Sequence, residues 1–227
     1  MPALDPFGYR DAPHPVREDI RSSQAAFWER LARPGAAWTG AERVAFAAEA
    51  RAAWRLRSEP PWLRRLPEPD PVVAPVAATR AVRSIALDVH RIDRAFAAEL
   101  VAALGEAAYV ELVAVAVQTI AIDAFALALG VDPAPFPEPR AGEPSGARPG
   151  GLGEIGAHVA CRLDYAGPNV GRAMSGAPDD NATFLGLVAS MYAVRDFAEM
   201  VWKDRPLSRP QVELVAARVS AVNECFY

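Results

Sequence analysis

The chain has 227 residues, and its 52% hydrophobic content is enough to bury a core in one large domain or two small ones, which excludes disorder throughout. Its 28 acidic and 24 basic residues give a formal net charge of −4 and form no basic block, which argues against nucleic acid as a partner. The segment from Met1 to Arg10 lacks the apolar run of a signal peptide. The chain has only two cysteines, Cys161 and Cys225, and they lie far apart in sequence, which fits a reducing compartment better than a scaffold held by disulfides. A cytoplasmic location is therefore predicted.

Helical periodicity runs through most of the sequence. Apolar residues recur at three- and four-residue spacing, and Ala, Leu, Arg and Glu dominate, which favours helix over strand. No segment of four or more residues alternates in the strand period, so the predicted fold class is all-α. In chain order, the predicted helices span residues 16–31, 39–57, 79–90, 93–104, 107–129, 181–202 and 208–222.

Two proline-rich stretches, 59–75 and 132–151, separate groups of these helices. Proline lacks the backbone donor that a helix needs and fixes φ, so both stretches are predicted to be linkers or surface loops. The predicted organisation is an N-terminal helical unit over 1–131, a proline- and glycine-rich linker over 132–152, and a C-terminal unit over 153–227.

The most apolar stretch, 110–129, is long enough to suggest a transmembrane helix, but Glu111, Gln118 and Asp123 interrupt it. It is therefore predicted to be a buried helix, with no membrane partner. Buried acids must find partners, and Glu111 and Asp123 are interpreted as oligomer contacts or as a vestigial proton relay. Asp180, in the acidic start of the helix over 181–202, is interpreted as part of that helix's cap.

Two helix starts match each other. Thr39 with Glu42 and Ser208 with Gln211 are capping-box patterns, and each opens an Ala-rich amphipathic helix. Aligned from these caps, 38–48 and 207–217 suggest a weak internal duplication. The alternative is two unrelated helices with ordinary caps. In this alignment only the second copy carries Glu213 and Cys225.

The segment 207–227 carries the functional signal, a glutamate followed at a fixed distance by a cysteine. Glu213 and Cys225 have the separation found in the motif of the alkylhydroperoxidase (AhpD)-like and carboxymuconolactone decarboxylase family, which is Glu, eleven residues, Cys-x-x-Cys, three residues and His. The run from Arg218 to Asn223 also resembles this family, and looser likenesses cover 37–51 and 109–139.

The resemblance implies an AhpD-like helical fold of two related units, a homo-oligomer, and a peroxidase-like thiol oxidoreductase with an antioxidant role. Its partners would be a hydroperoxide substrate and a dithiol reductant protein, and it implies no metal or cofactor. Glu213 would be the acid that relays protons, and Cys225 the thiol that resolves the oxidised sulfur as a disulfide.

The spacing itself requires a turn. An unbroken helix would separate Glu213 and Cys225 by about 18 Å along its axis. We therefore expect the helix to end near Val222, with Asn223 capping a second helix whose first turn holds Cys225. At that position the helix dipole favours the thiolate.

The second cysteine of the motif would follow Tyr227 directly, and the histidine would lie four positions beyond it. We expect a chain truncated inside its motif and inactive as it stands. One hypothesis is a UGA codon that encodes selenocysteine, and the nucleotides after Tyr227 would test it. The alternatives are a decarboxylase-like acid–base enzyme that uses Glu213 without redox cycling, and a non-catalytic helical subunit.

Three other residues are weaker candidates. His90 and His158 are predicted to be partly buried or surface histidines. His158 and Cys161 have a spacing that can share a metal on a helix, but two ligands without nearby partners make a poor zinc site.

Overall fold

The fold is described from a computed structural model, in which residues 6–71, 73–192 and 206–222 are described. The helices are α1 (Glu18–Ala32), α2 (Gly40–Arg55), α3 (Val76–Leu87), α4 (Arg94–Leu104), α5 (Glu106–Leu129), α6 (Asn169–Arg172), α7 (Pro178–Tyr192) and α8 (Arg209–Val222), with a 3-10 turn at Val89–Arg91. Two short antiparallel strands, β1 (Leu152–Gly153) and β2 (Cys161–Arg162), pair Gly153 with Cys161. The prediction of an all-α fold is confirmed.

The core is built around α5. This helix contacts α1, α2, α3, α4 and α7, and α1 contacts both α2 and α7. Small residues on α2, among them Ala47 and Ala50, allow α2 to approach its neighbours closely. The larger core side chains include Phe27, Leu31, Phe46, Leu100, Leu112, Ile122 and Leu187.

Local sequence signals set several helix boundaries. The Thr39 side chain accepts a hydrogen bond from the Glu42 amide, and Glu42 accepts one from the Thr39 amide, which completes the predicted capping box of α2. Asp93 caps α4 by accepting from the Phe96 amide at 2.8 Å. Gly130 ends α5 with φ 71°, a left-handed conformation that glycine adopts without steric cost.

The second proline-rich stretch lies against the end of α1. The amide of Arg140 donates to the Ala32 carbonyl at 2.7 Å, and that of Ser145 donates to the Gly35 carbonyl at 2.9 Å. The Trp28 indole donates to the Pro135 carbonyl at 2.8 Å. These bonds replace the helical bonds that proline prevents, so the segment follows α1 as an extended strap.

The helices on either side of this stretch share a core. α7 packs on α1 and α5, and its Leu187 belongs to the cluster that contains Phe27 and Leu112. In contrast, none of the described residues of α8 is buried. The division of the chain at 132–152 stays a prediction.

α5 is long and apolar enough to cross a membrane, with a mean hydropathy of 2.2 over its most apolar window, half of which is buried inside the protein. The core helix of a soluble protein has the same length and composition. Its polar residues Glu111, Gln118 and Asp123 are buried and have partners within the chain.

Candidate functional site

Glu213 lies near the start of α8, while Cys225 and Asn223 lie outside the described residues. The Glu213 side chain is 47% exposed, and its carboxylate is 3.8 Å from Arg209 Nε. It is therefore open to a reactant from outside, with a cation one helical turn away. Its predicted approach to Cys225 through a turn stays a prediction.

The start of α8 shows one half of the predicted capping box, the bond from the side chain of Gln211 back to Ser208. Gln211 Oε1 accepts hydrogen bonds from the Ser208 amide at 2.8 Å and from the Ser208 hydroxyl at 3.0 Å. This contact fixes the register of the helix, and it places Glu213 in its second turn.

The apolar faces of α2 and α8 coincide when the two helices are aligned from their caps. The interior side of α2 is formed by Arg43, Phe46, Ala47, Ala50 and Ala53, all buried. The aligned residues of α8 are Val212, Val215, Ala216, Val219 and Val222, all half-buried or exposed. The periodicity of a buried helix is thus repeated on a helix none of whose described residues is buried.

A second site, which the sequence did not reveal as a unit, is a buried ionic cluster between α1, α2, α5 and α7. Arg43 donates to Glu111 Oε1, to Asp180 Oδ1 at 2.6 Å and to Asp180 Oδ2 at 3.3 Å. Arg30 also donates to Asp180 Oδ2, at 2.9 Å. All four side chains are at most 15% exposed, and the two positive charges equal the two negative ones.

The loop after α1 supplies the remaining hydrogen bonds to Glu111. Its Oε2 accepts the amides of Ala36 and Ala37, each at 2.9 Å. A side chain on Gly35 would overlap this carboxylate, because a Cβ built there meets Glu111 before any other atom. Glycine at position 35 is therefore required for the loop to approach the acid so closely.

The electrostatics of the cluster favour a structural role. Burial by itself lowers the pKa of the Arg43 guanidinium, but the charges and hydrogen bonds of Asp180 and Glu111 outweigh this effect and raise it. All four carboxylate oxygens of Glu111 and Asp180 accept at least one hydrogen bond from Arg43, Arg30 or the loop amides. Every oxygen of both acids is therefore occupied within the chain, which favours a structural role over contact with a substrate.

A cavity of about 290 Å³ adjoins this cluster, lined by Arg30, Pro34, Gly35, Ala36, Ser145, Ala147, Arg148, Pro149, Ala177, Pro178, Asp179 and Asp180. Its charged lining contains two arginines and two aspartates. With signs so balanced, the lining does not select an anion or a cation.

The other buried acid of α5 also has a partner within the chain. Asp123 receives two hydrogen bonds from Arg51, at 2.6 and 2.8 Å, and the Arg51 guanidinium lies 3.8 Å from the centre of the Phe136 ring. The interpretation of Glu111 and Asp123 as oligomer contacts or a relay is therefore replaced by intrachain ion pairs. Both are satisfied by arginines of α2.

Cys161 lies in β2 and not on a helix, so its spacing from His158 does not produce the helical metal geometry. Burial raises the pKa of its thiol, which disfavours the reactive thiolate. Among the described residues, no group of three or more His, Cys, Asp or Glu side chains could hold a metal ion.

No protein-family model, no curated protein and no solved structure matches this chain. The family resemblance therefore rests on the sequence segments described above alone, and the function that it implies is a proposal.

Proposed function

We propose that the chain is part of a peroxidase-like thiol or selenol oxidoreductase of the alkylhydroperoxidase-like family, with Glu213 as its proton-relay acid and Cys225 as its resolving thiol. The observation that carries the proposal is the separation of Glu213 and Cys225, on a segment that resembles the first part of this family's motif. The position of Glu213, accessible on a helix that begins at the predicted Ser208 cap, supports it.

The reaction needs a second sulfur or a selenium, which the motif places directly after Tyr227. Its anion attacks the hydroperoxide, the O–O bond breaks, and the alkoxide leaves as an alcohol with a proton relayed through Glu213. The oxidised residue, a sulfenic or selenenic acid, then condenses with the Cys225 thiol and releases water. A dithiol protein reduces the resulting bond by exchange and is itself oxidised to a disulfide.

The test uses protein expressed from a reading frame that continues past the codon that follows Tyr227. We expect peroxide consumption with a dithiol reductant, lost in Cys225→Ser and reduced at least ten-fold in kcat in Glu213→Gln, because general acid–base catalysis contributes about 10²-fold or more. Glu99→Gln is the control and should keep full activity, because Glu99 is another exposed glutamate on a helix, outside the proposed site.

Two results would contradict this proposal. Absence of an in-frame histidine codon four positions beyond the predicted second cysteine would remove the motif. Activity on a lactone acid that survives Cys225→Ser would favour the decarboxylase-like alternative, in which Glu213 acts without redox cycling.

Assembly without catalysis is the second candidate, and the partly exposed apolar side of α8 favours it. Val215 and Val219 are 59% and 53% exposed. If this side joins subunits of a homo-oligomer, Val215→Ser with Val219→Ser should lower the mass measured by light scattering. Leu214→Ser is the matched control, because the helical period places Leu214 away from these valines.

A further inference from the structure

The cavity beside the buried ionic cluster lies where the loop after α1, the proline-rich strap and the start of α7 meet. Its volume is about 290 Å³, close to the lower end of the range of ligand pockets, which begins at about 300 Å³. The amides of Ser145 and Gly146 donate to the Gly35 and Ala36 carbonyls, each at 2.9 Å, so the strap is fixed against the loop. The cavity is therefore part of the folded chain and has room for a small molecule.

The buried part of the lining carries no net charge. Asp180 is 1% exposed, and both Arg43 and Arg30 donate to its carboxylate. Since Glu111 is the second acid of this cluster, two arginines balance two carboxylates. The charge that the cavity offers to a ligand therefore comes from its two other charged lining residues, Arg148 and Asp179.

Arg148 and Asp179 have opposite charges, and both are exposed. Although they line the same small cavity, they form no ion pair with each other, and neither side chain has a hydrogen-bond partner within the part of the chain that the structure describes. Both charges are thus available to a bound molecule.

The same cavity has two further donors. Arg30 donates through its terminal nitrogens to the Pro34 carbonyl and to Asp180, each at 2.9 Å, but its Nε is buried without a hydrogen-bond partner among the described residues. The Ser145 hydroxyl oxygen accepts the Ala147 amide at 3.3 Å, which leaves the hydroxyl proton free to donate. A buried donor without a partner is unfavourable, so an acceptor bound here would stabilise the site.

We propose that this cavity binds a small zwitterion, a free amino acid with a short apolar side chain. Its carboxylate accepts hydrogen bonds from Arg148 and from Arg30 Nε, and its ammonium group donates to Asp179. Its side chain contacts the apolar part of the lining, which consists of Pro34, Ala36, Ala147, Pro149, Ala177 and Pro178. A lining that selects neither an anion nor a cation is complementary to a molecule that carries both charges.

A ligand with a single charge fits this lining less well. A simple anion that binds Arg148 is repelled by Asp179, and a simple cation that binds Asp179 is repelled by Arg148. The site contains neither Glu213 nor Cys225, so it is independent of the proposed redox function.

The experiment measures binding to the full chain by isothermal titration calorimetry with L-valine, L-valinamide and N-acetyl-L-valine. Valinamide keeps the ammonium group but lacks the carboxylate, whereas N-acetylvaline keeps the carboxylate but lacks the ammonium group. We expect saturable binding of L-valine, at least about ten-fold stronger than that of either analogue, because each analogue loses one charge-assisted contact.

Two variants test the assignment of the charges. Arg148→Gln and Asp179→Asn should each weaken L-valine binding at least about five-fold. Arg148→Gln should also reduce the preference for L-valine over valinamide, and Asp179→Asn the preference over N-acetylvaline, which a change of shape alone would not do. Arg91→Gln and Asp132→Asn, which remove the same charges at exposed positions elsewhere, should leave binding within two-fold.

Three results would overturn the proposal. The first is the absence of saturable binding of L-valine to the wild-type protein. The second is equal binding of either analogue, which would indicate a site for a simple cation or a simple anion. The third is wild-type affinity for L-valine in Arg148→Gln or in Asp179→Asn.

Discussion

Glu111 and Asp180 lie in the core, and Arg43 bonds to both of them. A carboxylate loses its hydration when it is buried, and the loss is offset only if charge and hydrogen bonds replace the water. Here Arg43 and Arg30 supply the charge, and the amides of Ala36 and Ala37 supply further donors. Removing any one of these donors should therefore lower the free energy of unfolding, because it leaves a buried carboxylate with fewer partners.

Gly35→Ala should destabilise the protein by about 3 kcal/mol or more, because the new methyl group would displace Glu111 and leave a buried charge poorly paired. Urea unfolding followed by circular dichroism measures the change. Gly150→Ala is the control, since a Cβ at Gly150 meets no other atom within 4 Å, and it should stay within about 0.5 kcal/mol of wild type. Equal stability of the two variants would show that Glu111 is not held against this loop.

Tyr9 gives a pH-dependent prediction. Burial raises the pKa of Tyr9 to about 12, helped by the charge of Asp123 and opposed by the hydrogen bond to Gln24. The folded value lies above the unfolded value of 10.0, so the contribution of Tyr9 to stability is complete below pH 10 and is lost as the pH rises through about 12. In an ultraviolet titration of the folded protein, Tyr9→Phe should lack one phenolate that forms near pH 12 in the wild type. Loss of a phenolate that forms near pH 10 would contradict this.

At the scale of elements, the two matched caps should behave differently. Thr39→Ala removes the capping box of α2, and because α2 packs in the core it should lower global stability by about 1 kcal/mol. Ser208→Ala removes the hydroxyl that donates to Gln211 at the start of α8, and none of the described residues of α8 is buried, so the global midpoint should not move. Hydrogen exchange should instead become faster in α8 alone. A shift of the global midpoint in Ser208→Ala would mean that α8 belongs to the core.

Local pattern was sufficient to predict most of the helices and their caps. The sequence also showed that Glu111 and Asp123 needed partners, because both interrupt an apolar helix. It did not show which partners they take, since Glu111 lies 68 positions from Arg43 and Asp123 lies 72 positions from Arg51, and only the packing of α2 on α5 brings each pair together.

Asp180 shows why a local pattern can mislead. An acid at the start of a helix is typical of a cap, but α7 begins at Pro178 and Asp180 turns inward to the arginines. The short strands β1 and β2 were missed because two residues are too few to show the strand period. The pairing of Glu213 with Cys225 depends on a turn outside the described residues and stays a prediction.

At the scale of the whole molecule, α7 contributes buried side chains to the core, whereas the described residues of α8 contribute none. Leu187 on α7 is 2% exposed among residues of α1 and α5, so truncating it leaves a cavity in the shared core. Leu187→Ala should therefore cost about 3 kcal/mol and lower the stability of α1, α5 and α7 together. Leu127→Ala, at a leucine of α5 that is 57% exposed, should cost less than about 0.5 kcal/mol.

Hydrogen exchange measured by mass spectrometry separates this arrangement from one of two independent halves. If the core is shared, peptides from α1, α5 and α7 should lose protection by the same amount in Leu187→Ala, because one cooperative unfolding event exposes all three. Peptides from α8 should exchange quickly in wild type and variant alike, since their amides open without disturbing buried contacts. Loss of protection confined to α7 would instead place a cooperative boundary near the proline-rich stretch.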